Sequence, residues 1–398
     1  MSSLNLDRAV EIFAAAADGT VGLEEEFSLL HPATLDLVPR FEELRDAARV
    51  EDPLLHASIT GELISSEIEI VSGPGCDLHD ALARQRERRR RLFALAERHG
   101  VSLAATGTHP WADYRAQQII DTEHYRRVQD DLKYVAWRNN TFSMHAHVGV
   151  RDIDRAVCVC DRLRPVLPLL LAISANSPYL DGRDSGLHSA RTQSFTRSFP
   201  RCGIPDAFGG WGPYREYIEL LVRTRSIVEF TQVWWSVRPH FGFGTVEIRI
   251  CDAQASAAES DALAALLVAC VAQAARDVDE GVPFTDPAPR LIEENMWRAI
   301  RFGLDGRLID FAGAPDARGA HAAHSSRDAH EYPAREAIAR LAQWTAPVRG
   351  ELGIELAFPE RNGAQRQRAL IAAGASREEV FAASALETRQ TYSEEIKV

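Results

Sequence analysis

The sequence predicts an α+β fold in which an antiparallel sheet alternates with helices. One sheet face packs on the helices and the other lines a cavity. Three observations predict it. Four segments alternate apolar and polar residues with the period of two that marks a half-buried strand. Stretches of helical pattern separate those segments. The polar faces carry Glu, His and Arg, where a solvated sheet face mixes Lys, Thr, Ser and Glu.

The first strand is "VGLEEEFSLL", with Val21, Leu23, Phe27 and Leu29 on one face and Gly22, Glu24, Glu26 and Ser28 on the other. Glu25 falls on the apolar side, where a charge is expected near the rim. In "ITGELISSEIEIVSG", Glu67 and Glu69 share a face and Glu62 has the opposite parity; a bulge or turn at Ser65-Ser66 brings Glu62 and Glu69 together. "TFSMHAHVGV" sets Ser143, His145 and His147 against Phe142, Met144, Ala146 and Val148. "GTVEIRICD" sets Thr245, Glu247, Arg249 and Cys251 against Val246, Ile248 and Ile250.

Helical pattern covers residues 77–99, opened after Pro74-Gly75 and stopped by Gly100. It recurs over 122–138, 153–175, 214–224, 257–279 and 290–302, and Pro165 and Pro168 should break the third of these six. Ser376 and Glu379 form a capping-box pattern. The basic run "RQRERRRR", Arg84 to Arg91, is expected on a solvated helix face. Residues 177–195 read as a long loop carrying Arg183 and Arg191, and Arg191 suits a bidentate grip on a substrate carboxylate. His109 in "TGTHPWADY" is expected in a structural turn, and "FGGWGPY" as a Gly-rich turn. Residues 312–330, with His321, His324 and His330, are poor in large apolar residues and read as a loop or linker. One domain is expected over 1–398, with a core over about 18–310 and a helical segment at 331–398.

Composition narrows the function. With 398 residues and a formal net charge of -12, the chain is a poor ligand for nucleic-acid phosphates and a good one for cations. Lys133 and Lys397 are its only lysines, so anion recognition falls to arginine. Neither GxxxxGK[ST] nor GxGxxG occurs. The six cysteines form no CxxC, and Cys158 and Cys160 sit in an apolar helical stretch; free thiols and no signal-peptide pattern lead to the expectation of a cytoplasmic protein. The longest apolar run, 262–275, is too short to span a bilayer.

If the strands share one sheet, Glu24, Glu26, Glu62, Glu69 and Glu247 converge with His145, His147 and Arg249. One arginine cannot cancel that many carboxylates, and divalent cations are the economical answer. Mostly oxygen ligands with a histidine favour Mg²⁺ or Mn²⁺ over zinc. Several such ions point to phosphate chemistry, with Arg249 on a phosphate oxygen.

"GLEEEF", "GELISSEIEIVSG", "GTHPW", "HAHVGV", "SANSPYLDGRDSGLHSAR", "HFGFGTVEIRICD" and "ENMWRAIRFGLDGRLID", in this order from about residue 20 to 310, resemble the glutamate–cysteine ligase type 2 family of ATP-dependent carboxylate–amine ligases. The resemblance implies a curved antiparallel sheet like the catalytic domain of glutamine synthetase, with ATP and metals on its concave polar face. By position it implies metal ligation by Glu24, Glu26, Glu62, Glu69, His145 and Glu247. It also implies a nucleotide-phosphate contact and catalytic role for Arg249, a catalytic role for Glu247, and substrate contacts for Arg191 and His147. The reaction implied is amide formation through an acyl phosphate, with glutamate as the carboxylate and cysteine as the amine, in an enzyme expected to be a homodimer. Glu67 departs from the family, where related sequences commonly carry Gln. The alternatives are a metal-dependent phosphotransferase that stops at the phosphorylated carboxylate and a non-catalytic nucleotide or metabolite sensor.

Overall fold

The computed structural model describes residues 5–311 and 330–393. His321 and His324, and most of the loop expected around them, lie outside the described residues; His330 is exposed.

All four alternating segments are strands of one antiparallel sheet of seven strands: β1 (Val21–Leu30), β2 (Ile59–Thr60), β3 (Glu67–Val71), β4 (Ser102–Ala104), β5 (Ser143–Gly149), β6 (Val237–His240) and β7 (Thr245–Asp252). Their order is β6-β7-β5-β1-β3-β2, and β4 pairs with the C-terminal end of β1. Ser65 and Ser66 lie in the turn that reverses the chain between β2 and β3, as the parity change of Glu62 required.

The apolar face packs on helices α1 (Leu78–Arg98), α2 (Ile153–Leu163), α3 (Leu167–Ser174) and α5 (Ala257–Asp279); α4 (Ala190–Ser198) and α6 (Pro289–Phe302) complete the helices that matter below. Val21, Leu23, Met144, Ala146, Val148, Val246 and Ile248 meet α2 and α5 in one core cluster. Phe27, Leu29, Ile68 and Ile70 meet Leu92, Phe93 and Leu95 of α1 in a second. The expected break at Pro165 separates α2 from α3. Residues 122–138 do not form one helix. An α-helix at Glu123–Leu132 gives way to a 3-10 turn at Lys133–Arg138, where Lys133 takes φ 51°. The Ser376–Glu379 capping box is formed in both directions. Helix α5 extends beyond the apolar run seen in sequence and has the length and composition of a membrane span, yet 67% of its apolar window is buried against the rest of the protein.

Four further expectations are corrected. Glu25 is buried between the two core clusters, 3% exposed, and not at a rim. Arg89 of α1, 1% exposed, grips it bidentately at 2.7 Å and 2.7 Å and also holds Asp261 at 2.7 Å; Gln85 and Ser260 donate to Glu25, and Tyr392 lies against the guanidinium. The basic run is therefore solvated only in part, because a helix of 21 residues turns one of its arginines inward. Cys251 packs in the apolar core, because the register of β7 against β5 slips between Ile248 and Cys251. Finally, 177–195 is no irregular loop: it forms a hairpin, Tyr179–Leu180 with Arg183–Asp184, and then α4, capped by Ser189.

Candidate active site

Directly paired residues of an antiparallel sheet point to the same side. The register therefore carries the polar face across the sheet. Arg238 lies opposite Glu247, Glu247 opposite His147, Glu24 opposite His145, Glu26 opposite Glu69, and Glu69 opposite Thr60. This face forms the floor of a cavity of about 720 Å³. Glu24, Glu26, Glu62, Glu67, Glu69, His147, Arg191, Arg238, Glu247 and Arg249 all line it. Arg183 does not; it is exposed on the hairpin.

Three groups of potential ligands converge, each with its donor atoms within 4.8 Å of one another: Glu24, Glu69 and His145; Glu24, His147 and Glu247; and Glu26, Glu62 and Glu69. All six residues expected as metal ligands take part, and Glu24 and Glu69 are each shared by two groups. At that spacing each pair of ionised carboxylates repels by about 3.5 kcal/mol at an effective dielectric of 20.

The charges are cancelled unevenly. Burial alone would raise the pKa of Glu24, but the charge of His147 and hydrogen bonds from both imidazoles outweigh it and hold the carboxyl well below 4.5. His145 Nδ1 donates to Glu24 at 2.8 Å and its Nε2 accepts from the Ser143 hydroxyl at 2.8 Å, while His147 Nε2 donates to Glu24 at 3.0 Å. Burial and the charge of Arg249 lower the pKa of His145. Burial opposes the charge of His147, but Glu24 and Glu247 raise its pKa nonetheless. Glu247, 1% exposed, is held ionised against burial by Arg238, Arg249 and His147; Arg238 donates to it at 2.6 Å and 3.2 Å. Glu26 accepts from the backbone N–H of Ser143.

The opposite bank is compensated only in part, because the charge of Arg249 lowers Glu62 and Glu69 but does not outweigh burial and the neighbouring carboxylates. Burial, then the charge of Glu26, pushes Glu62 up to about 8. Burial and the neighbouring carboxylates push Glu67 and Glu69 well above 4.5. Glu67 Oε2 is buried without a hydrogen-bond partner, as are Arg191 Nε and Arg249 Nε. An orphaned carboxylate oxygen on one bank and two orphaned guanidinium N–H groups on the other fit a bound cation and a bound anion. An oxygen-rich donor set with one or two imidazoles suits Mg²⁺ or Mn²⁺.

Arg191 is placed from behind. Its Nη atoms donate to the carbonyls of Ile250 at 3.1 Å and Arg249 at 3.3 Å, and its backbone N–H donates to the Ser177 hydroxyl at 3.1 Å. Buried Asp252 gathers the Asn176 N–H at 2.8 Å and the hydroxyls of Ser177 at 2.6 Å and Ser189 at 2.9 Å. His109 is a structural turn as expected, with Nδ1 accepting from the backbone N–H groups of Trp111 and Ala112.

Sequence reading missed Arg238 and His240. Both line the cavity. "VRPHFGFGTVEIR" held a signal, since a hairpin turning at Phe241–Gly244 sets position 238 across from 247.

The family model for glutamate–cysteine ligase family 2 matches residues 20–386. A candidate glutamate–cysteine ligase 2 of Solibacter usitatus (strain Ellin6076) is 36% identical over 355 residues, covering 87% of this chain and 88% of that protein. Another, of Sorangium cellulosum (strain So ce56), is 40% identical over 292 residues, covering 73% and 77%. Among solved structures, the glutamate–cysteine ligase of Francisella tularensis in complex with AMP superposes with a TM-score of 0.66 at 11% identity, covering 95% of this chain and 90% of that one. The bifunctional glutathione synthetase of Pasteurella multocida gives 0.63 at 13% identity, covering 97% and 54%. At these identities the two structures attest the fold.

Proposed function

The chain belongs to glutamate–cysteine ligase family 2 and is an ATP-dependent ligase, and from that premise we propose that it joins a carboxylate to an amine through an acyl phosphate. Glutamate is the carboxylate, and cysteine is the reference amine that the family name supplies. The observation that carries the reading is the convergence of three ligand groups, every member but His145 lining one cavity, with two arginines of the same lining that keep an unsatisfied Nε–H. Residues 1–398 serve as one catalytic unit, with the sheet and its helices as the core.

Mg²⁺ or Mn²⁺, held by Glu24, Glu26, Glu62, Glu69, His145 and Glu247, would supply charge neutralisation of the triphosphate. Arg249, tied to Glu247, offers its free Nε–H to a phosphate oxygen as negative charge develops there. Arg191 offers its own to the substrate carboxylate, in an orientation fixed by the carbonyls of Ile250 and Arg249. His147, wedged between Glu24 and Glu247, presents positive charge beside the transferring group. The carboxylate oxygen attacks the γ-phosphorus, the bond to the bridging oxygen breaks, and ADP leaves. The amine nitrogen then attacks the acyl carbon, the C–O bond to phosphate breaks, and the departing phosphate takes the proton shed by nitrogen.

The test is ADP release from ATP, Mg²⁺ and glutamate, with amine added second. Glu247→Gln should nearly abolish it, and unchanged turnover would remove Glu247 from the mechanism. ADP release independent of amine, with the acyl phosphate trapped by hydroxylamine and never passed to an amine, would favour a phosphotransferase. No release with any carboxylate–amine pair would favour a sensor.

A further inference from the structure

The cavity has an apolar region that neither the metal groups nor the triphosphate chemistry uses. Arg191, Phe195 and Phe199 follow one another at intervals of four along α4 and its C-terminal cap, so they lie on one side of the helix, and all three line the cavity. Phe195 and Phe199 pack with ring centroids 4.5 Å apart, and Trp234 meets Phe199 edge-on at 5.7 Å. Tyr125, Val128 and Leu63 line the same cavity.

A second aromatic pair, His240 and Phe243, stacks at 4.3 Å on the β6–β7 turn. Both rings touch His147, at 5.2 Å and 5.4 Å, and His147 is bound to Glu24. This pair therefore borders the phosphate-binding bank. Phe195 and Phe199 instead follow Arg191, the residue proposed to grip the carboxylate, along α4 and onto its C-terminal cap. Glutamate is charged at each end and has no use for three aromatic rings, and the side chain of cysteine is a single methylene and a thiol.

Resting on the ligase reading above, we propose that the wall of Phe195, Phe199 and Trp234 is the amine subsite, and that it takes an amine with an aromatic or bulky apolar body in preference to cysteine. The amine nitrogen attacks the acyl carbon with the bond changes already given, and the wall acts on the part of the amine that does not react. Desolvating that body positions the nitrogen and shields the acyl phosphate from water.

The experiment compares kcat/KM for phenethylamine, isoamylamine, ethylamine and cysteine, using the full chain with ATP, Mg²⁺ and glutamate. Hydroxamate formation with hydroxylamine runs alongside as a measure of acyl phosphate. Phenethylamine should exceed cysteine by about tenfold or more. Phe195→Ala should lower the phenethylamine-to-cysteine ratio by about tenfold. The ratio is the readout because poor folding would depress both rates alike. Hydroxamate formed with cysteine preferred overturns the amine assignment and leaves the ligase standing. A ratio unmoved by Phe195→Ala while the KM for ATP rises makes the wall a nucleotide contact and also overturns it. No glutamate-dependent hydroxamate removes the ligase reading, and this inference with it.

Discussion

Withdrawing divalent cations should make the stability of this protein fall as pH rises from 6.5 to 8.5, and saturating Mg²⁺ should flatten that fall. Glu62 carries the argument. Its carboxyl titrates near 8 in the folded chain, against an ordinary 4.5, because burial and the charge of Glu26 oppose ionisation. Between those values the folded chain keeps a proton that the unfolded chain has lost, so its contribution is full below 4.5 and is lost as pH rises through about 8. At about 1.4 kcal/mol per pH unit, moving from 6.5 to 8 costs at most about 2 kcal/mol from this residue, the upper figure because Glu62 keeps some contact with water. Glu67 and Glu69 are shifted in the same direction, and so is His147, whose contribution is likewise lost as pH rises. Burial lowers His109 and His188 to about 4 and His240 to about 3, so these favour the folded chain increasingly up to 6.5 and are silent above it. The buried thiols Cys202 and Cys251, pushed up from 9 to about 12, begin to act as pH approaches 9 and do so equally with EDTA and with Mg²⁺. Asp161, raised to about 6 chiefly by burial, and Asp252 and Glu259, raised by burial, act in the same direction in both conditions, so the difference between the metal-free and Mg²⁺ curves, and not the slope itself, reports the acidic bank. Urea unfolding midpoints measured across it, with EDTA and with Mg²⁺, make the assay. Parallel curves in the two conditions, or a metal-free protein that gains stability with pH, would refute the reasoning.

Glu67→Gln should raise the metal-free unfolding midpoint at pH 8, since it removes a buried carboxyl shifted by burial and by Glu26; an unchanged or lower midpoint contradicts this. Arg89→Ala leaves Glu25 buried without its bidentate partner and should cost about 3–5 kcal/mol in urea unfolding. Gly107→Ala should lower activity, because a Cβ there would fall 2.7 Å from the Asp252 carboxylate and 2.9 Å from Ser177, displacing the hydroxyl that receives the Arg191 N–H. Its signature is a raised KM for the carboxylate substrate with a near-normal KM for ATP, and equal change in both would contradict it.

The sheet was legible because period-two alternation reports which residues share a face, and every expected metal ligand sits on a strand face or on the turn beside it. What stayed hidden depended on tertiary placement. Arg238 lies on a strand of four residues that includes a proline, too short to display a period. Arg89 looks like its solvated neighbours until Glu25 is found across from it. Cys251 changed sides through a register slip that no local pattern announces. Residues 177–195 looked loop-like because small and polar residues also build hairpins and cap helices. The family resemblance named candidate ligands but carried no information about which carboxylates find counter-charges.

The clamp of Arg89 on Glu25 works from the reverse side of the strand that bears Glu24 and Glu26. Alternation makes the middle glutamate an anchor and turns its two neighbours to the cavity, where the proposed reading puts them to work. The anchor needs no ion, so stripping the cations leaves the strand tethered to α1 and, through Asp261 and Ser260, to α5. If cations are held as proposed, chelation should empty a scaffold instead of dismantling it, and adding Mg²⁺ back should restore activity without refolding.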